Sequence, residues 1–419
     1  MVLVVGILSY ATSQAARQNY TGIQKFIAAD FHLDKAALGV LGSVFFYSYA
    51  LFQMPWGIAA DKFGSRIVTG AGILLTAVTM AGFATSGSNA ALLFWRGAGG
   101  VAGAAAYVAM TGGIARWFPS SEQGTSQAAL GGIGGALGEA TGFFLLPALA
   151  VYFVSWRDSA NVVAAGIAVM GLVSLIFLRS APPTRSRVVR APFALPMLRD
   201  PELWSCTLLH SACMVGIRIS QAWFALYVTD VYVQTRGMSL NQAVVTSGLL
   251  ATVLYSLLGR GLCTPVLGRI SDAMLKRGRS RAALVIASLV VTVISFQLMA
   301  MGVTSIPVLA LLAVVMGLTV NSFTLVIAEA SEFYGAERTG SVSSFMNTVG
   351  QLMGATALAV SGYIGVGLNG GAKDSLDDYQ GIWLSGVAWI VALTIAGSVA
   401  YYLAVKHRAT TESIASTAS

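Results

Sequence analysis

Charge is scarce in this chain. Only 10% of its 419 residues are Asp, Glu, Lys or Arg, and cysteine and histidine occur three times each. So little charge excludes an ordinary soluble domain, which needs a solvated skin of about 25% charged residues. Cys206, Cys213 and Cys263 all fall in apolar runs without metal-ligand spacing, so neither a zinc site nor a disulfide framework is expected. No phosphate-cradling Walker loop and no nucleophile with a base at a catalytic spacing occurs, so no enzyme, cofactor or metal is expected.

What is abundant is apolar sequence. Hydrophobic residues make up 56% of the chain, in stretches of roughly 20 that suffice to cross a ~30 Å hydrocarbon layer as helices. Spans are expected at 3–28, 37–60, 67–86, 91–114, 124–150 and 160–179, then 203–233, 243–271, 281–301, 307–329, 340–365 and 381–404. Met1 runs straight into apolar sequence without a basic flank, which reads as a first span rather than a secretory signal.

An even number of spans places both termini on one side. The formal net charge is +8, but most Lys and Arg fall in loops of one face, so the excess signals orientation rather than nucleic-acid binding. That face is expected to be the cytoplasmic side of a bacterial inner membrane. The expected division is a six-helix bundle over 1–180, a proline- and arginine-rich cytoplasmic linker over 181–201, a second bundle over 202–405 and a cytoplasmic tail over 406–419.

Two hairpins repeat. Gly57-Ile-Ala-Ala-Asp61-Lys62-Phe-Gly64-Ser-Arg66 joins the second and third spans, and Gly268-Arg-Ile-Ser-Asp272, followed by Lys276, Arg277, Gly278, Arg279 and Arg281, joins the eighth and ninth. Parallel repeats of this kind place a site between the halves near the bilayer midplane. Dense glycine in the fourth and fifth spans, at 97–103 and 131–138, reads first as helix packing.

The sharpest signal is charge inside the spans. Arg17 lies about 22–25 Å into the first span at 1.5 Å per residue, and Arg218 about as deep in the seventh, the equivalent helix of the other half. Arg260 lies well inside the eighth. The one acid placed deep in a span is Glu139, so a positive centre remains, and a planar guanidinium suits a carboxylate or phosphate. An anionic substrate is the direct inference. Glu139 is the candidate proton site, with a fixed counter-ion as the equal alternative. His210, two turns before Arg218, is a weaker coupling candidate than a helix-contact residue. Tyr47, Tyr49, Gln53, Gln127, Gln221, Asn321, Asn347 and Gln351 offer neutral donors, and Asn347 and Gln351 share a helix face.

The paired Gly-x-x-x-Asp hairpins, the Arg96-Gly-Ala-Gly-Gly100 opening of the fourth span and the six-linker-six layout resemble the major facilitator superfamily across nearly the whole chain. Within it, Arg17-Gln-Asn-Tyr20, Trp117-Phe-Pro119, Trp156-Arg157 and Trp223-Phe-Ala-Leu-Tyr227 resemble the anion:cation symporters and, more distantly, the organophosphate exchangers. The resemblance implies an all-helical fold of twelve spans in two pseudo-symmetric bundles, alternating access, and monomeric proton-coupled symport of a small organic anion, a carboxylate. It gives Arg96 a part in proton coupling beside helix anchoring, and Gly57, Asp61, Arg66, Asp272 and Arg279 or Arg281 the part of a gate. Ala16 stands where the symporters carry an acid and Gln18 where the exchangers carry a cation, which leaves organophosphate exchange as the alternative. A transporter-like sensor is a third reading.

Overall fold

The computed structural model describes residues 2–117, 129–179, 194–368 and 376–417. Among them it is helical throughout, without strands. Twelve helices follow one another: α1 over 2–31, α2 Lys35–Phe63, α3 Ser65–Ala84, α4 Asn89–Trp117, α5 Leu130–Phe153, α6 Trp156–Phe177, α7 Pro201–Arg236, α8 Leu240–Leu275, α9 Arg281–Ala300, α10 Ile306–Gly335, α11 Gly340–Gly367 and α12 Asp378–Lys406. Ten are long and apolar enough to cross a membrane. The other two are α1, whose 3-10 turn leaves a first helical piece of 17 residues, and α4.

The bounds follow the expected spans closely, and the differences have physical causes. The first span was expected to be continuous, but its helix stops at Gln18, makes a 3-10 turn at Thr21–Ile23 and resumes at Gln24–Phe31. Helices α5 and α8 contain π-helical segments at Leu130–Gly134, Thr141–Leu145 and Ala251–Leu262, which no hydrophobic period announces. The turns match the sequence signals better. Asp34, Ser155, Ser239 and Ser280 each cap the next helix by accepting a backbone N–H. Gly64 and Gly278 adopt φ of 86° and 70° in the two repeated hairpins, a region that glycine enters without a Cβ clash. Gln127, Phe118 to Gly124 and the linker residues 180–193 lie outside the described residues.

Helices approach closely where small residues permit. Helix α5 lays Gly134, Gly138 and Gly142 against Ile7, Ala11, Gln14 and Gln18 of α1, so close that an added Cβ at Gly138 would stand 2.4 Å from the Ala11 carbonyl. Helix α2 runs along α11, α5 meets α8, and the 3-10 turn of α1 meets α7. Cross-half contacts gather toward the end that carries Asp30, Asp230 and Asp378, called here the acidic end; the end of the 57–66 and 268–281 hairpins is the basic end. Lys25 pairs with Asp230 at 2.7 Å, Lys35 with Asp378 at 2.8 Å, and Gln24 Nε2 donates to the Ala222 carbonyl at 3.0 Å. The halves are closed on the acidic side.

Candidate functional site

Arg17 occupies the last turn of the Val2–Gln18 helix, whose final carbonyls have no partner within the helix. Arg96 of α4 supplies one. Its Nη2 donates to the Arg17 carbonyl at 3.0 Å, its Nη1 to Asn19 Oδ1 and, at 3.4 Å, to the Ala16 carbonyl, and its guanidinium lies over the Phe45 and Tyr20 rings at 4.6 and 5.3 Å. These are the contacts of an anchor that caps the broken helix and fixes the backbone from which Arg17 projects.

The Arg17 guanidinium lies 4.5 Å from the Tyr49 ring centre, its Nε has no hydrogen-bond partner, and the residue is 8% exposed. Arg218 is 3% exposed and lies 3.8 Å from the Phe46 ring centre. Its Nη1 donates to Gln221 Oε1 at 2.9 Å and its Nη2 to Gln351 Oε1 at 2.8 Å, while its Nε is unpartnered. Among the described residues no carboxylate pairs with either arginine. Neutral amides and aromatic faces hold them, and cation–π contact returns about 2 kcal/mol against a burial penalty of several.

Arg260 differs. Its Nη1 donates to Glu139 Oε1, and Glu139 also accepts from Gln221 Nε2 at 2.9 Å. The single deep acid is therefore committed to Arg260, and among the described residues Arg17, Arg218 and the anchored Arg96 remain without a carboxylate partner. Arg17, Arg218 and Arg96 line one small cavity between the halves, together with Gln18, Tyr20, Phe46 and Gln221.

The neutral donors complete a chain. Gln351 Nε2 donates to Asn347 Oδ1 at 3.4 Å and Asn347 Nδ2 to Gln53 Oε1 at 2.9 Å, so hydrogen bonds run unbroken from Arg260 through Glu139, Gln221, Arg218, Gln351 and Asn347 to Gln53. Tyr47 shares a hydrogen bond with Thr356 at 2.8 Å, a further bridge from α2 to α11. Asn321 is bound to Thr264 and the Arg260 carbonyl, one step away from the cavity. His210 is buried against Phe323 and Gly350 with neither ring nitrogen partnered, apart from this chain.

Tyr10, Tyr107 and Tyr255 were not singled out from the sequence, yet they surround the charges. The Tyr10 and Tyr107 rings stand 5.6 Å apart within the field of Arg17, and Tyr255 lies within that of Arg260, Glu139 and Arg218. An isolated tyrosine in an apolar run carries no sign that its hydroxyl faces a charge.

At the basic end, Asp272 Oδ1 accepts from Arg281 Nη1 at 2.9 Å, and Arg281 also reaches Glu332 at 2.9 Å and Ser271 at 2.7 Å. Of the two arginines considered for Asp272, Arg281 makes the contact and Arg279 is exposed. In the first hairpin Arg66 Nε donates to the Leu175 carbonyl at 2.5 Å, at the end of the neighbouring helix α6, Asp61 is exposed and Gly57 packs near Val108. No group of side chains suited to a metal occurs among the described residues.

Residues 6–358 match the family model of the Major Facilitator Superfamily. The chain is 25% identical to the chloroplastic ascorbate transporter of Arabidopsis thaliana over 81% of its own length and 64% of that protein's. It is 28% identical to a probable galactarate/D-glucarate transporter, GudP, of Bacillus subtilis over 67% of its length and 65% of that protein's. With a probable hexose phosphate transport protein of Chlamydia pneumoniae it shares 26% identity, over 42% of its length and 38% of that protein's. The chain thus spans less than two thirds of these curated relatives. Among solved structures, a bacterial homologue of the human lysosomal transporter Spinster, inward-facing and occupied, superposes with a TM-score of 0.75 over 97% of this chain and 96% of that one at 18% identity. With the fold, the layout of the halves and the sequence match agreeing over most of its length, the chain belongs to the major facilitator superfamily of membrane transporters.

Proposed function

We propose that this chain is a secondary active transporter that carries a small organic anion, a carboxylate, by alternating access coupled to proton symport. The observation that carries this reading is the pair Arg17 and Arg218, one from each half, buried at one cavity with no carboxylate partner among the described residues. An anion between them neutralises both guanidiniums and ties the halves together, so its arrival changes which arrangement of the halves is stable. Gln351, Asn347, Gln53 and Tyr47 supply neutral contacts around it. The relatives' names, which speak of ascorbate, galactarate or glucarate and hexose phosphate, fit a small anionic substrate.

In this reading the basic end and both termini face the cytoplasm of a bacterial inner membrane, the bundles are 1–180 and 202–405, and the protein acts as a monomer. The acidic end is then the outer side, closed by the Lys25–Asp230 and Lys35–Asp378 pairs. The Asp272–Arg281–Glu332 group and the Asp61 hairpin belong to the inner gate. Moving one negative charge inward costs about 2.3 kcal/mol per 100 mV of interior-negative potential. A proton on Glu139 offsets that charge and also frees Arg260, which becomes a third cation for the anion. Arg96 serves by holding Arg17, and His210 stands outside the coupling path.

The second reading is exchange of an organophosphate for phosphate, which the hexose phosphate relatives and the fit of guanidinium to phosphate favour. Uptake of labelled ascorbate, D-glucarate, sulfoacetate and glucose 6-phosphate into proteoliposomes, with and without an inward proton gradient, tests both. Gradient-driven uptake of a carboxylate that Arg17→Ala and Arg218→Ala each abolish is expected. Uptake that requires only internal phosphate moves the protein to exchange. Undiminished flux in both variants removes the anion site.

A further inference from the structure

Gln221 lies three residues after Arg218 on α7, so the two side chains leave the same face of the helix. Its Oε1 accepts from Arg218 Nη1 and its Nε2 donates to Glu139 Oε1, both at 2.9 Å, and the residue is 5% exposed. A guanidinium only donates and an ionised carboxylate only accepts, so between these neighbours the amide has one permitted orientation. Glu139 belongs to the first half and Arg218 to the second. Gln221 touches both.

Two events disturb this arrangement. An anion at Arg218 competes with Gln221 Oε1 for Nη1. A proton on Glu139 replaces a charged acceptor by a neutral one and weakens both the amide contact and the Arg260 pair. The groups that face Glu139 are Arg260 and Tyr255 from α8 and Tyr10 from α1, with Arg17 and Arg218 nearby.

Resting on the symport reading above, we infer that Gln221 is a positioning residue that makes anion occupancy at Arg218 and protonation of Glu139 depend on one another. When the anion takes Nη1, the amide is free to turn and its donor leaves Glu139, which then holds a proton more readily. When Glu139 is protonated first, the amide loses its charged partner and releases Arg218 to the anion. Linkage requires the two effects to be equal in size.

The test uses the full-length protein in proteoliposomes, with ascorbate, D-glucarate and glucose 6-phosphate as probes. Gln221→Met keeps the length of the side chain and removes both hydrogen bonds; Gln221→Glu keeps an acceptor for Arg218 and removes the donor to Glu139. Two quantities are read: the ratio of gradient-driven accumulation to equilibrium exchange, and the change in probe affinity with pH, followed by tryptophan fluorescence where exchange is slow. The wild type is expected to bind its probe about tenfold more tightly on the acid side, a usual size for coupling between sites. In both variants that dependence flattens and the ratio falls by about the same factor. A ratio and a pH dependence that stay at wild-type values in Gln221→Met overturn the inference and leave the residue a packing group. A wild-type protein that exchanges a probe but ignores the proton gradient sinks the symport reading itself, a result distinct from any difference between variants.

Discussion

Lys35 Nζ lies 2.8 Å from Asp378 Oδ2, and with 7% and 5% side-chain exposure the pair joins the start of α2 to the start of α12 almost out of reach of water. Lys25 and Asp230 repeat the arrangement between α1 and α7, where Tyr379 adds a hydrogen bond to Asp230 at 2.7 Å. Both pairs cross from one half to the other, so their energy counts only while the acidic end is closed.

Removing one partner of a buried pair costs about 3–5 kcal/mol, because the other charge is left uncompensated. Asp378→Asn is therefore expected to shift the protein toward the arrangement open at the acidic end. A Ser247→Cys reporter, buried at that end, is expected to react faster with an impermeant maleimide in Asp378→Asn than in the parent. Adding Lys35→Met should restore much of the slow labelling, since no unpaired charge then remains from this pair. Equal labelling rates in parent and Asp378→Asn count against the pair as an outer latch.

Arg17→Lys and Arg218→Lys keep the charge and lose the planar fork. One lost charge-assisted contact is worth about 1.5–3 kcal/mol, which corresponds to roughly 10- to 150-fold in KM for the anion. Concentration-dependent uptake measures it. Arg260→Lys is expected to change the response to a proton gradient more than the KM, because its partner in the resting state is Glu139.

Gly248 approaches α5 so closely that an added Cβ would stand 1.9 Å from the Phe143 carbonyl. That neighbour is backbone and cannot move aside. Gly248→Ala is expected to prevent closure at the acidic end and to abolish transport while thermal unfolding in detergent stays near that of the parent. Gly166→Ala, at a position with open space around it, serves as the unaffected control.

Asp30, exposed in the last turn of α1, accepts from Arg157 and from Trp156 Nε1 at 3.2 Å. The Arg157 contact, first among the causes, holds the Asp30 carboxyl below the ordinary aspartate range. A lowered folded value means stability that is present above the unfolded value, near pH 3.9, and lost as pH falls through the folded one. Thermal unfolding of Asp30→Asn is thus expected to fall below that of the parent at neutral pH and to converge with it in strong acid. A gap between the two that widens on acidification contradicts the assignment.

The fold and the charged centre were largely legible because both are written in short-range terms. Twenty apolar residues in a row announce a span, and an arginine amid them announces a buried charge wherever its neighbours fall. What could not be read is what depends on which helices touch. That Glu139 serves Arg260 and leaves Arg17 and Arg218 uncompensated follows from the contact of α5 with α8, and two helices give no sign in sequence of their mutual rotation. Gln221 appeared only as one of several neutral donors for the same reason. The choice of Arg281 over Arg279 at Asp272 rests on where α9 begins. For Arg96 the motif left coupling and helix anchoring both open, because its contacts depend on a break in α1 that Gln18 to Ile23 do not advertise.

The π-helical stretch Ala251–Leu262 ends two residues beyond Arg260. Such a segment holds more residues than an α-helix of the same hydrogen-bonded path, the mark of an insertion absorbed without loosening either flank. Each residue of an α-helix turns the chain by about 100°. Excising a single residue between Ala251 and Gly259 while the segment keeps its wide turns would rotate the Arg260 side against the opposite flank by close to that angle. Arg260 would swing off the side of α8 that meets Glu139. The ion pair at the centre of the molecule thus depends on a count of residues as much as on their identity, and a one-codon deletion there is a harsher change than most substitutions.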